Sequence, residues 1–222
     1  MYGQPKFLSS FGRRKGRAFT PRQQALLDEY LPNVAIKPDA LPDSQRYDAI
    51  NLEIGFGAGE HLLAMAKHYP ETLFIGCEPY LNGVVHLLGK MQEENIQNIR
   101  IYTDDVRHLL EVMPAGYIRQ AYILFPDPWP KWRHRLRRLI DHDLLRMLAG
   151  VQAEKAPLLI ATDHLDYSAW ILEYLLSSEW YVWQGNTYEA WRTPPEEWTQ
   201  TRYQQKTTAE GREPVFLYCN RR

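Results

Sequence analysis

Asp127 has the surroundings that most suggest chemistry. It stands in Phe125-Pro126-Asp127-Pro128-Trp129-Pro130-Lys131, with prolines at alternate positions. Proline fixes φ, removes a backbone donor and pushes the preceding residue toward extended geometry. The apolar run Tyr122-Ile123-Leu124-Phe125 reads as a buried strand, so the chain should leave it as a stiff arm carrying one carboxylate. Lys131, Arg133, His134, Arg135, Arg137 and Arg138 follow at once. Such a stretch reads either as a solvated basic helix face or as a phosphate contact, for which arginine offers a bidentate fork. Its place beside Asp127 favours the second, and with it chemistry on a polyanion.

A second group is Glu53-Ile54-Gly55-Phe56-Gly57-Ala58-Gly59. Glycines at a strand-to-helix junction allow a tight turn and close backbone approach to a ligand. The G-x-G-x-G spacing differs from the G-x-G-x-x-G of a dinucleotide site, and Glu53 disfavours a pyrophosphate. Glu78, about 20 residues on, is placed to accept hydrogen bonds from ribose hydroxyls. Asp104 is placed to accept from an adenine amino group; Asp105 is the alternative, and either residue can cap the following helix. Together this turn and these acids resemble the S-adenosylmethionine site of class I methyltransferases. The histidines have no metal-ligand spacing, so no metal is expected.

These residues need a frame. Predicted strands are Ala49–Ile54, Leu73–Glu78, Ile99–Tyr102, Ile118–Phe125 and Pro157–Thr162. Helical spacing covers Glu60–His68, Asn82–Glu94, Val106–Met113, Leu139–Leu148 and Leu165–Ser177. Trp180–Trp183 and Val215–Tyr218 read as closing strands across a polar, proline-containing segment with no obvious helix. The alternation implies an α/β fold, a mainly parallel sheet of about seven strands with helices on both faces and an antiparallel edge strand. Ligands then bind beyond the carboxyl ends of the strands, which gathers Gly55–Gly59, Glu78, Asp104 and Asp127 on one rim. The tryptophans at 170, 180, 183, 191 and 198 read as packing.

The 222 residues carry 26 Lys and Arg against 27 Asp and Glu, a net charge of −1. Affinity for a polyanion must therefore come from local patches. Residues 1–22 hold Lys6, Arg13, Arg14, Lys15, Arg17 and Arg22 and no acid. They read as a flexible basic arm, either a solvated tail or a phosphate contact, ahead of one domain over 23–222. Two cysteines exclude a disulfide framework and fit a reducing cytosol. No apolar run reaches the length of a membrane span, and the N-terminus lacks a secretory h-region.

Leu52–Gly57, Phe74–Glu78, Phe125–Lys131, Arg133-His134, Arg137-Arg138, Thr162-Asp163, Thr201-Arg202-Tyr203 and the arm Phe11–Arg17 resemble, in order, the bacterial tRNA (guanine-N7-)-methyltransferases. The resemblance implies a Rossmann-like, cytoplasmic enzyme, monomer or homodimer, with no obligatory protein partner. It implies transfer of a methyl group from S-adenosylmethionine to guanine N7 in tRNA, usually at position 46 of the variable loop. Glu53, Gly55, Gly57, Gly59, Glu78, Asp104 and Asp127 would then line the cofactor site. Lys131, Asp163, Thr201, Arg202, Tyr203 and Gln204 would contact the guanosine. Arg13, Arg14, Lys15, Arg17, Arg133, Arg137 and Arg138 would meet the tRNA backbone. Gln204 stands where the family usually has glutamate and offers one neutral acceptor, which implies a weaker contact or a contribution from Gln205 or Glu210. Trp132 and Leu136 stand where basic or polar residues are common; Trp132 either stacks on RNA or packs. Guanine N7 carries no proton, so Asp127 is expected to position and stabilise charge rather than act as a base. The competing class is a non-catalytic tRNA-binding protein retaining the fold.

Overall fold

The computed structural model describes residues 12, 14–185, 187, 189–196 and 198–222, the Arg202 side chain excepted. A helical entry comprises α1 (Pro21–Ala25), a π-helical turn (Leu26–Tyr30) and α2 (Leu31–Val34). There follow β1 (Ala49–Ile54), α3 (Glu60–His68), β2 (Thr72–Cys77), α4 (Leu81–Glu93), β3 (Ile99–Tyr102), α5 (Val106–Leu110) and β4 (Gln120–Leu124). A 3-10 helix (Trp132–Arg137) precedes α6 (His142–Val151), β5 (Pro157–Thr162), α7 (Leu165–Leu176), β6 (Tyr181–Trp183), α8 (Arg202–Ala209) and β7 (Val215–Arg221).

The seven strands form one sheet in the order β3-β2-β1-β4-β5-β7-β6. Pairings among β1 to β5 are parallel; β7 is antiparallel to both β5 and β6. The antiparallel strand thus sits one place in from the edge, with β6 outside it. Both faces are covered, as parallel sheets require. Ile50, Leu52, Ile54 and Ile123 pack with α5, α6 and α7, while Phe74, Tyr122 and Leu124 pack with α3 and α4. Each fully buried leucine or isoleucine contributes about 2 kcal/mol, so this double core holds the loops at the strand ends to a fixed rim.

Two local readings change. Asp141 caps α6, its Oδ1 accepting from Leu144 N–H at 2.7 Å, so that helix starts three residues later than its apolar pattern suggests. The polar segment before β7 contains α8, capped by Thr201. That helix buries Gln204 and Thr207 rather than an apolar stripe, so hydrophobic periodicity gives no signal for it.

Candidate active site

The chain reverses its strand order at β1, whose neighbours are β2 and β4. Ligands bind at such a switch point in open α/β sheets. Here the cleft measures about 430 Å³ and is walled by Gly55, Gly57, Glu78, Asp104, Phe125, Asp127 and Arg137, among others. That volume suits a small cofactor.

The glycine turn makes one wall. Gly55 and Gly57 have φ of 77° and 57°, a region that costs other residues about 1–2 kcal/mol. A Cβ at either would meet nothing within 4 Å, so both face open space. Glu78 closes the turn from β2: its Oε2 accepts from Gly57 N–H at 2.9 Å and its Oε1 from Tyr80 N–H at 2.8 Å. Burial raises its pKa above the ordinary carboxylate range, with Asp127 and Glu53 adding to the effect against those two backbone donors. His86 Nδ1 lies 2.9 Å from Ala58 carbonyl oxygen, tying α4 to the same turn.

Glu53 and Gly59 lie behind this wall, outside the residues that line the cleft. Strand alternation turns Glu53 toward α3, where its Oε2 meets His61 Nδ1 at 2.7 Å with both side chains 3% exposed. Gly59 is the N-cap of α3, and a Cβ there would come within 2.7 Å of Leu87 Cδ1 on α4. Its lack of a side chain serves helix packing. At the β3 end, Asp105 takes the capping role, accepting from Arg107 N–H at 3.0 Å. Asp104 is left half-exposed at the cleft, paired with Arg14.

That pair anchors the N-terminal segment. Leu81 N–H donates to Arg14 carbonyl at 3.0 Å, and Asn82 bonds Gly16 N–H at 2.7 Å and Arg17 carbonyl at 3.1 Å. Gly12 reaches the cleft wall. Residues 14–17 are therefore docked on the start of α4, with Lys15 and Arg17 exposed. Arg13 and residues 1–11 lie outside the described residues.

The opposite wall is the proline segment. Asp127 is exposed and faces the cleft. Prolines alone do not shape this loop: Phe125 and Trp129, which bracket it, take φ of 50° and 42°. Left-handed backbone at such residues costs about 1–3 kcal/mol each and persists only where surroundings enforce it. Arg138 supplies part of that enforcement. Its Nε donates to Pro128 carbonyl at 2.9 Å, its guanidinium lies 4.9 Å from the Tyr167 and Trp170 ring centres, and Nη2 pairs with Asp166. Only 3% exposed, Arg138 is a strut of the loop and not a tRNA-backbone contact, which corrects the sequence reading. Lys131, Arg133 and Arg137 remain exposed, Arg137 lying 5.1 Å from the Trp129 ring centre. Burial and these neighbouring cations hold His134 below its ordinary pKa.

The C-terminal candidates adjoin the cleft through Phe125 and are not among the residues that line it. Tyr203 on α8 comes within 5.4 Å, centre to centre, of the Phe125 ring. Asp163, at the end of β5, pairs with Arg212 at 2.7 Å and accepts from Tyr203 Oη at 3.4 Å. Arg212 carried no sequence signal. Thr201 is the N-cap of α8, accepting from Gln204 N–H at 3.2 Å. Gln204 is turned inward: 6% exposed, its Oε1 accepts from Trp198 Nε1 at 2.8 Å. That bond turns Gln204 inward, and its carbonyl oxygen keeps a second lone pair. The Arg202 side chain lies outside the described residues. Among the described residues no three His, Cys, Asp or Glu side chains come together that could hold a metal, and no helix is long and apolar enough to cross a membrane.

A family model described as "Putative methyltransferase" matches residues 48–217. A tRNA (guanine-N(7)-)-methyltransferase of Ruegeria sp. (strain TM1040) is 39% identical over 222 residues, covering 95% of this chain and 87% of the relative. The chain belongs to the tRNA (guanine-N(7)-)-methyltransferase family. A second member, from Caulobacter vibrioides (strain NA1000 / CB15N), is 39% identical over 216 residues, 95% of this chain and 93% of its own length. The solved 16S rRNA methyltransferase KamB matches with a TM-score of 0.55 at 13% identity, over 80% of this chain and 90% of its own. At that identity the likeness speaks for the methyltransferase fold alone.

Proposed function

We propose that this chain transfers a methyl group from S-adenosylmethionine to N7 of guanine in tRNA, at the variable-loop guanosine. The observation that carries this reading is Asp127, held on a braced loop between the Gly55–Gly57 cradle and the cations of the 3-10 helix. S-adenosylmethionine supplies a methyl group activated by its sulfonium charge. The open space at Gly55 and Gly57 and the carboxylates around it fit that cationic, ribose-bearing ligand. Glu78 would accept from the ribose, and Asp104 would hold the adenine amino group.

N7 presents a lone pair and no proton, so the transfer asks for alignment and charge stabilisation rather than a base. Positive charge passes to the purine as the bond forms, and a fixed carboxylate stabilises it with little reorganisation. Asp127 fills that role. Phe125, Tyr203 and Asp163 would wall the guanosine, with Asp163 or Lys131 meeting its polar edge. Lys131, Arg133 and Arg137 would take the phosphates; a tRNA substrate places the protein in the cytoplasm.

The test is labelled methyl transfer to a tRNA transcript carrying guanine or adenine at variable-loop position 46, followed by nucleoside analysis. 7-Methylguanosine from the guanine transcript alone is expected. Equal incorporation into both would refute the site assignment.

A further inference from the structure

Trp132 and Leu136 are 80% and 79% exposed, the largest values among the exposed large hydrophobics of the described residues, and both lie on the short 3-10 helix beside the cleft. An indole so exposed on a strongly cationic face is a candidate contact for a partner, since tryptophan is enriched at interfaces. Trp132 is also held in place. The Arg135 guanidinium stacks 4.8 Å from its ring centre, and Asp166 on α7 holds Arg135 at 2.6 Å. The same Asp166 pairs with the strut Arg138. One face of the indole is thus backed by an anchored cation and the other face is presented to solvent.

The surrounding charge selects the occupant. From residue 131 to 138 there are five Lys or Arg and no acid, and the neighbouring carboxylate Asp166 is engaged by Arg135 and Arg138. Cores of protein–protein interfaces are depleted in charge, whereas aromatic platforms within cationic grooves bind unpaired bases. Leu136 lies on the cleft wall, and Trp132, four residues earlier, stands about 8 Å away along a 3-10 axis. At that offset the indole is within reach of a nucleotide next to one held at the cleft mouth.

Resting on the tRNA-methylating reading above, we infer that Trp132, backed by Arg135, is a stacking platform for an unpaired base flanking the target guanosine. A pre-anchored ring loses little freedom on stacking, so the platform would contribute binding and hold the target nucleotide splayed toward the cleft.

The experiment pairs Trp132→Ala and Trp132→Phe with transcripts made abasic at either nucleotide flanking the target. Trp132→Ala should raise the tRNA KM between about fivefold and about a hundredfold, with cofactor affinity unchanged; Trp132→Phe should recover most of the loss. One abasic flank should cost the wild type a similar factor and cost Trp132→Ala nothing further. Wild-type KM in Trp132→Ala, or additive losses, would overturn the platform. So would a self-association that Trp132→Ala abolishes without changing tRNA kinetics, since the ring would then serve a protein interface. The fluorescence difference between wild type and Trp132→Phe on adding tRNA reads the stack independently of catalysis. Quenching without methyl transfer would refute the proposed reaction and keep the platform; transfer without quenching would do the reverse.

Discussion

Removing Arg138 separates a strut from an RNA contact. In Arg138→Ala the charged hydrogen bond to Pro128 carbonyl disappears, a loss of about 2 kcal/mol. Two ring contacts go with it, about 1 kcal/mol each in a dry setting. The Asp166 pair adds under about 1 kcal/mol, because that carboxylate is 42% exposed and rehydrates when freed. Against these losses, the variant no longer buries a guanidinium, whose effective penalty is itself a few kcal/mol. The net should be about 2–3 kcal/mol, lowering Tm by about 5–10 °C for a chain of this size. Thermal and urea unfolding measure it, and Arg138→Lys should fall between, since an ammonium keeps the charge but not the planar fork. Catalysis should fall as well, in kcat more than in tRNA KM, because Pro128 next to Asp127 is unbraced. A variant with wild-type Tm and a raised tRNA KM would refute this account and return Arg138 to the RNA surface.

Other perturbations test the remaining walls. Glu78 has a raised pKa, so as pH falls from neutral it protonates before an ordinary glutamate and stops accepting as a carboxylate. Cofactor affinity should therefore weaken progressively from above the usual glutamate range downward, and calorimetry on Glu78→Gln should find that pH dependence gone. The stability effect has the opposite sense: the raised pKa favours folding at acid pH, and that contribution is lost as pH rises through it. Gly57→Ala should cost about 1–2 kcal/mol of stability and project a methyl into the cofactor space, raising the cofactor KM at least tenfold, about 1.4 kcal/mol. A cofactor KM unchanged in that variant would move the ligand off the glycine turn. Arg133→Glu with Arg137→Glu should raise the tRNA KM about tenfold or more and lose most of its effect at high salt, with cofactor binding intact by titration. Arg14→Ala frees Asp104 and the docked N-terminal segment; a modestly higher cofactor off-rate in stopped flow is expected, and an unchanged one would leave that segment without a part in closing the cleft.

Where the sequence is periodic it was readable. β1, β3 and β5 lie where apolar runs place them, and the rule for strand ends then gathers the Gly55 turn, Glu78, Asp104 and Asp127 on one cleft. Long-range partners are another matter. Nothing in Gln204 announces that Trp198, six residues away, will draw it inward, and nothing in the run of arginines marks Arg138 as the buried one. Both outcomes depend on what α7 and the pre-α8 segment bring close. Glu53 was closer to legible: on a strand its parity opposes that of Leu52 and Ile54, so it turns to the α3 face, where His61 waits. The left-handed Phe125 and Trp129 have no local signature, since neither residue type favours that conformation.

β7 lies between β5 and β6 although it follows both in the chain. The sheet therefore cannot assemble in order of synthesis. Until β7 arrives, β5 presents an open edge built from Leu158, Leu159, Ile160 and Ala161, the kind of edge that recruits wrong partners. Among the described residues β6 pairs with no strand but β7. Insertion of β7 should be a late and slow step, since it closes long-range contacts, and β5 and β6 amides should gain protection together in pulsed hydrogen exchange. Because α8 lies in the same β6–β7 connection, the Tyr203–Phe125 contact should form with that insertion. A chain stalled before this point would carry the glycine turn and Glu78 but not Tyr203 against Phe125, so competence for the cofactor would precede competence for the guanosine during biogenesis.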